Sequence, residues 1–316
     1  AESCVKNFFT TVCDNLSSSS DETTGKIAFE YDFNGSTMGY ASYTIGSKPG
    51  GTNLTYGFST REELDADFRF GSPVVPPMVY RTFESENLES LEFGLKSDFF
   101  NGKARANIAV FSYDYENLQF QATDPDPFRG GVANIPNSEM DGVEVEFTAL
   151  LSDSITFDMN LGFIDTEVTS EYEVLDNVLA YQYFFTEEQE RYDLREDVKG
   201  NMLAKTPEFT ADATLTYEGE LASGNPINVI LQFVRRGEFM QRVSNNPSVD
   251  TVPEYQIFNL TVGIDFQNNM DLDFLLLNAT DESGVNSSMT DVFGVAGTGI
   301  ELIPPRQVMT RLSYNF

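Results

Sequence analysis

Histidine and tryptophan are both missing from this chain of 316 residues, and cysteine occurs only twice. Without histidine there is no Ser-His-Asp triad, no Cys-His dyad, no histidine zinc site and no histidine-ligated haem. Positive charge is scarce: 19 Lys plus Arg stand against 50 Asp plus Glu, a formal net charge of -31. Nothing offsets phosphates, so nucleic acid is excluded as a partner. Long apolar runs are missing too, and none approaches the roughly 18 residues of a transmembrane helix. A soluble protein does not follow from that, because a membrane barrel shows lipid only alternate residues of each strand. The start, Ala1-Glu2-Ser3-Cys4, has neither the charged nor the apolar region of a signal peptide and reads as internal or processed. Among the many carboxylates no pair stands out for acid–base work, so neither an enzyme nor a cofactor is expected.

The two cysteines, Cys4 and Cys13, lie close together in a polar stretch that ends in Ser17-Ser18-Ser19-Ser20. Their spacing has no metal-site signature. It allows an oxidised clip, suited to an extracytoplasmic compartment, or two free thiols.

What is present in abundance is a period of two. In Ile155-Thr156-Phe157-Asp158-Met159-Asn160-Leu161-Gly162-Phe163 every odd position is apolar and every even one is polar or Gly. Segments 143–149, 209–217 and 258–266 repeat the pattern, and Ile27, Phe29, Tyr31 and Phe33 alternate with smaller or charged residues. Such segments are strands with one greasy and one wet face. About eleven are expected, each near the 10 residues that a tilted bilayer-spanning strand needs. Segments 38–46 and 104–113 fit either register.

The connections alternate. Short turns are expected at Asn34-Gly35-Ser36, Asn101-Gly102-Lys103, Ser152-Asp153-Ser154, Ser223-Gly224-Asn225 and Gln267-Asn268-Asn269. Between them lie long polar loops at 48–86, 114–138, 166–206, 239–254 and 281–304. Short periplasmic turns opposite long extracellular loops describe an antiparallel transmembrane β-barrel, whereas a soluble sandwich scatters its loop lengths. The first strand (26–33) and the last (306–316) then run the same way and cannot close an antiparallel barrel. Further strands upstream are therefore expected.

Several segments resemble one family. Tyr40-Ala41-Ser42-Tyr43-Thr44-Ile45-Gly46-Ser47-Lys48-Pro49-Gly50-Gly51 is similar to a strand-and-loop segment of TonB-dependent receptors. So are Glu89 to Ser97, the strand ending Val110 to Gln119, Gly142 to Glu146, the opener Thr206-Pro207, and Leu277-Asn278-Ala279-Thr280-Asp281-Glu282. Pro304 to Phe316 resembles the family's closing strand. The resemblance implies a barrel of about 22 strands, of which this all-β chain is the C-terminal half. Residues 1–25 are then an extracellular loop remnant and 26–316 the barrel, with the plug domain absent. It also implies a place in the outer membrane of a Gram-negative bacterium, a TonB complex acting through the plug region, outer-membrane lipid around the wall, and a small-molecule substrate. Active import of a scarce nutrient follows, with a ferric siderophore ahead of cobalamin or an oligosaccharide. Leu312, Tyr314 and Phe316 resemble the assembly signal read by the barrel assembly machinery, and they also suit plain lipid contact. A passive porin and a soluble all-β binding or adhesion module are the alternatives.

Candidate contacts cluster in the loops. Tyr181, Tyr183, Phe184 and Phe185 precede a charged stretch containing Arg191, and Thr186 with Gln189 has the spacing of a helix capping box. Exposed aromatics there suit stacking on a sugar or an aromatic siderophore, or they form the loop's own small core. Arg235 and Arg236 suit an anionic chelate or nearby carboxylates. Asp124 and Asp126 are a weak calcium candidate with too few ligands. Glu144, Glu146, Asp158, Asn160, Asp212, Asn259, Asp265, Gln307 and Arg311 belong to the wet face, hydrating the interior or meeting the plug or substrate.

Overall fold

The computed structural model describes residues 2–6 and 11–15 by their backbone, and 19–53, 79, 82–123, 130–176, 195–290 and 298–316. Among these, no helix is long and apolar enough to cross a membrane. Among the described residues the main sheet has eleven strands. We number them β1 (Gly25–Asn34), β2 (Thr37–Lys48), β3 (Glu86–Phe99), β4 (Ala104–Thr123), β5 (Gly130–Ser152) and β6 (Ile155–Val168). There follow β7 (Phe209–Glu220), β8 (Pro226–Arg236), β9 (Tyr255–Asp265), β10 (Met270–Leu277) and β11 (Gln307–Tyr314). Each pairs antiparallel with its chain neighbours, giving one continuous meander.

The register keeps like with like. Phe157, Met159, Leu161 and Phe163 of β6 stand opposite Leu215, Ala213, Ala211 and Phe209 of β7, while Asp158 and Asn160 meet Thr214 and Asp212. The same rows continue into β8 and β9, where Leu231 faces Leu260 and Gln232 faces Asn259. A one-residue slip in any pair would turn an apolar row into the wet face. The two ambiguous strands are resolved by their partners. Ala41 and Tyr43 join the apolar face beside Phe93 and Leu91, and Ile108 and Val110 join it beside Val145 and Val143. Phe111 and Tyr113 consequently turn to the wet side.

No second sheet covers the apolar face among the described residues. Phe93 is 53% exposed, Phe163 48% and Leu231 48%, values that a sandwich core would not tolerate. In β6 the apolar positions run from Ile155 to Phe163, about 26 Å along the strand at ~3.3 Å per residue. Just beyond them, on the same outward-facing parity, Asp141 of β5 stands opposite Asp165 of β6, and one rung further out Glu89 of β3 stands opposite Asp114 of β4, itself opposite Glu139 of β5. The apolar band therefore ends within two residues of one level across four strands.

The turns at one end are tight. Phe100, Asn101 and Gly102 take positive φ, as do Gly224, Gln267 and Asn269, and Asn34 Oδ1 accepts the Ser36 amide at 2.9 Å. At the other end the segment expected as a loop over 114–138 is mostly strand: β4 runs on to Thr123 and β5 starts at Gly130. Beyond the apolar band a ladder no longer needs an oily face, so alternation fades while pairing continues. Asn117 at φ 58° marks the changeover. Short ladders also pair 173–175 with 195–197, 239–240 with 251–252, and 285–290 with 298–302. The buried cluster lies out here, where Ala122, Ala133 and Ile135 of the extended hairpin pack with Val168, Val198, Leu203 and Val243.

Candidate functional site

Two surfaces bear polar groups in an ordered way: the wet face of the sheet and the loop cluster above it. On the wet face side chains bond across strands. The Tyr40 hydroxyl donates to Glu92 at 2.7 Å, Asn107 to Glu146 at 2.9 Å and Thr148 to Asp158 at 2.8 Å. Further along, Asn259 donates to Gln232 at 3.0 Å, Gln232 to Asp212 at 3.0 Å, and Arg311 to Asp273 at 2.9 Å. The period-two pattern places these groups side by side, since opposite residues in a ladder lie about 5 Å apart. The result is a wall of cross-strand hydrogen bonds, rich in carboxylates.

The loop cluster is built around three arginines. Arg242 lies between two carboxylates that are both fully buried, donating Nε to Asp250 and Nη2 to Asp176 at 3.2 Å. Ser244 Oγ and the Asn246 amide complete the partners of Asp250, at 3.1 and 2.8 Å. This joins the loop after β6 to the loop after β8. Arg236 joins the latter to the last loop: its guanidinium lies 4.7 Å from the Phe239 ring and 4.6 Å from the Tyr255 ring, and it donates to the Val285 and Asn286 carbonyls. Arg235 lies on the outward face, bonded to Glu254 at 2.6 Å and over the Phe209 ring. In this structure, therefore, Arg235 and Arg236 both hold protein groups.

Asp197 caps part of the same cluster. Its carboxylate accepts the Lys199 amide at 3.1 Å and the Tyr172 amide at 3.0 Å, and these two bonds hold its pKa below the usual carboxylate value. Glu301 is likewise held low by Asn286 and Ser287.

The remaining sequence candidates divide. Tyr181, Tyr183, Phe184, Phe185, Thr186, Gln189, Arg191, Asp124 and Asp126 lie outside the described residues. Among the described residues no group of three or more Cys, Asp or Glu is arranged to hold a metal ion. The ladder of 2–6 with 11–15 sets Cys4 directly opposite Cys13, a separation within the Cα range of a disulfide. Leu312 and Tyr314 are on the apolar face of β11, and the Tyr314 ring meets Phe316 edge-on at 5.0 Å. The Arg242 cluster escaped sequence reasoning because its members come from two loops with no period. Tyr40 and Tyr113 escaped it because their strands fitted two registers.

Comparison with known proteins fits this architecture. The family model of the TonB dependent receptor-like β-barrel matches residues 5–279. A protein described as a probable TonB-dependent siderophore receptor, PiuA of Acinetobacter baumannii, is 26% identical over 143 residues, which are 45% of this chain and 17% of that protein. The crystal structure of PiuA superposes with a TM-score of 0.62 at 17% identity, over 92% of this chain and 35% of that one. The ferric yersiniabactin uptake receptor FyuA from Yersinia pestis superposes with a TM-score of 0.70 at 16% identity, over 98% of this chain and 40% of that one. The copper transporter OprC does so with a TM-score of 0.59 at 16% identity, over 97% of this chain and 40% of that one. This chain thus spans two fifths or less of the length of each. With a single eleven-stranded meander, one oily face and one wet face, it belongs to the TonB-dependent receptor family, as part of the β-barrel.

Proposed function

We propose that this chain forms wall and outer loops of a receptor that imports a ferric siderophore across the outer membrane of a Gram-negative bacterium. The observation that carries this reading is the two-faced sheet: an exposed apolar band on one side and a hydrogen-bonded polar wall on the other. A wall of that kind makes sense between hydrocarbon and a water-filled or plugged lumen. In this reading the barrel closes at about 22 strands, an arrangement associated with plugged outer-membrane transporters. Substrate binds above the wet face, and TonB, engaging a plug region outside these residues, draws on the proton gradient to move it inward. Lipid surrounds the band, and Leu312, Tyr314 and Phe316 serve the barrel assembly machinery.

The siderophore class is supported by PiuA and FyuA, whose names record siderophore and ferric yersiniabactin uptake. OprC, a copper transporter on the same fold, shows how far cargo varies over one wall; cobalamin and oligosaccharides stay behind the siderophore as candidates. The aromatic loop residues Tyr181, Tyr183 and Phe184, with Arg191, are the proposed stacking and anion contacts. The test is uptake of radiolabelled ferric chelates by iron-limited cells with and without the gene. Loss of uptake of one chelate class on deletion is the expected result, and unchanged uptake of every chelate would remove the siderophore reading.

A further inference from the structure

The outward face is not flat. A groove of about 710 Å³ crosses β3 to β6 at the upper edge of the apolar band. Leu91 and Phe93 form one wall and Phe163 the other, while Val110, Ser112 and Val143 make the floor between them. The groove exists because short side chains on β4 and β5 lie between tall ones on β3 and β6. From the wet side the Phe111 ring presses against Gly142 where a β-carbon would stand, so the floor is sealed. Ser112, Asp141, Asp165 and Glu208 stand at the groove's outer end, on the level where the band stops on β5 and β6.

We propose that this groove seats one acyl chain of an outer-leaflet lipid, lying along the strands with its head at the level of Asp141 and Asp165. The proposal rests on the outer-membrane reading above. Three observations favour a hydrocarbon chain as the occupant. The groove is continuous with the apolar band, and its walls are carbon. One rung below the mouth its lining is Phe93, Val110, Val143 and Phe163, with no polar side chain, whereas a peptide segment would bring backbone polar groups that need partners in lipid. Its polar residues are confined to the end where a lipid's head would lie. Lipid tails are as apolar as leucine, so no hydrophobic gain distinguishes this site from the rest of the wall. The preference comes from dispersion: a chain lodged in the angle between floor and wall touches carbon on two sides, and one on flat wall touches it on one.

The absence of tryptophan from these 316 residues makes the test direct. Phe93→Trp places a reporter in the groove wall, and Phe258→Trp places one on β9, on the same apolar face outside it. The full-length protein is reconstituted in phosphatidylcholine vesicles with graded fractions of brominated-chain lipid, and quenching is taken as the difference from the parent protein. The groove reporter is expected to reach half-quenching at a severalfold lower fraction of brominated lipid than the β9 reporter. Filling the floor with Ser112→Phe should bring the two midpoints together. Equal midpoints in the unfilled protein would overturn the groove and leave the barrel standing. Absence of quenching at both positions would instead overturn the outer-membrane reading on which the proposal rests.

Discussion

Arg242 is the side chain on which the outer loops turn. Its side chain is 23% exposed, and those of Asp176 and Asp250 on either side of it are wholly buried. Removing one partner of a buried ion pair leaves an uncompensated charge, which costs about 3–5 kcal/mol. Arg242→Ala is therefore expected to loosen the loops after β6 and β8 together while leaving the strands intact. Hydrogen exchange is the readout: protection should fall over 195–203 and 239–252 and hold in β6 to β9. Loss confined to one loop would mean that the arginine does not couple them. Asp197 allows a pH test of the same region. Its carboxyl is held below the usual value by two backbone amides, so its contribution is complete above the unfolded-state pKa and is lost as pH falls through the lower folded-state value. Exchange of the Tyr172 and Lys199 amides should rise over that acid window relative to neighbouring amides. In Asp197→Asn the step should vanish.

At the scale of the strand, parity decides. Met159 sits mid-band on the apolar face, opposite Phe147 and Ala213; Asn160, the next residue, stands on the wet face beside Glu146 and Asp212. An arginine facing lipid at the midplane costs about 2–4 kcal/mol, whereas a lumen position tolerates charge. In the refolded full-length protein, Met159→Arg should lower the urea midpoint and the yield of heat-modifiable species, and Asn160→Arg should change neither appreciably. Equal damage from both would deny that the faces differ in solvent. This two-solvent constraint also explains how much was readable from residues alone. From Ile155 to Phe163 the need for oil on one side and water on the other writes a period into the sequence, and the strand follows from it. Beyond Tyr113 that need ends, and the polar continuation of β4 and β5 looks like loop although it pairs as strand. The loop cluster left still less trace, because Arg242 meets Asp176 across 66 residues with no local pattern to announce it. The ladder of 2–6 with 11–15 lies between these extremes. Its cysteines stand out by scarcity, and the register opposes them. In the protein isolated under non-reducing conditions, thiol alkylation of Cys4 and Cys13 is expected only after reductant; labelling without it would establish free thiols.

For the whole sheet the governing fact is direction. Eleven strands in one meander leave β1 and β11 as edges, and both run the same way. Both are exposed along nearly their whole length. They cannot meet as an antiparallel pair, and each unsatisfied backbone group at a lipid-exposed edge costs several kcal/mol. Nor would two copies solve the problem. A second copy turned about the pore axis keeps its strand directions, so β1 of one would still face β11 of the other in parallel. A segment that supplies an odd number of further strands between those edges is what restores antiparallel pairing on both sides. The 316 residues refolded alone in detergent are thus expected to give protease-sensitive material without a heat-shifted band on a gel, at any protein concentration. A compact, heat-modifiable monomer or dimer would show that the edges find another closure, and the arrangement inferred for this barrel would have to be rebuilt from that species.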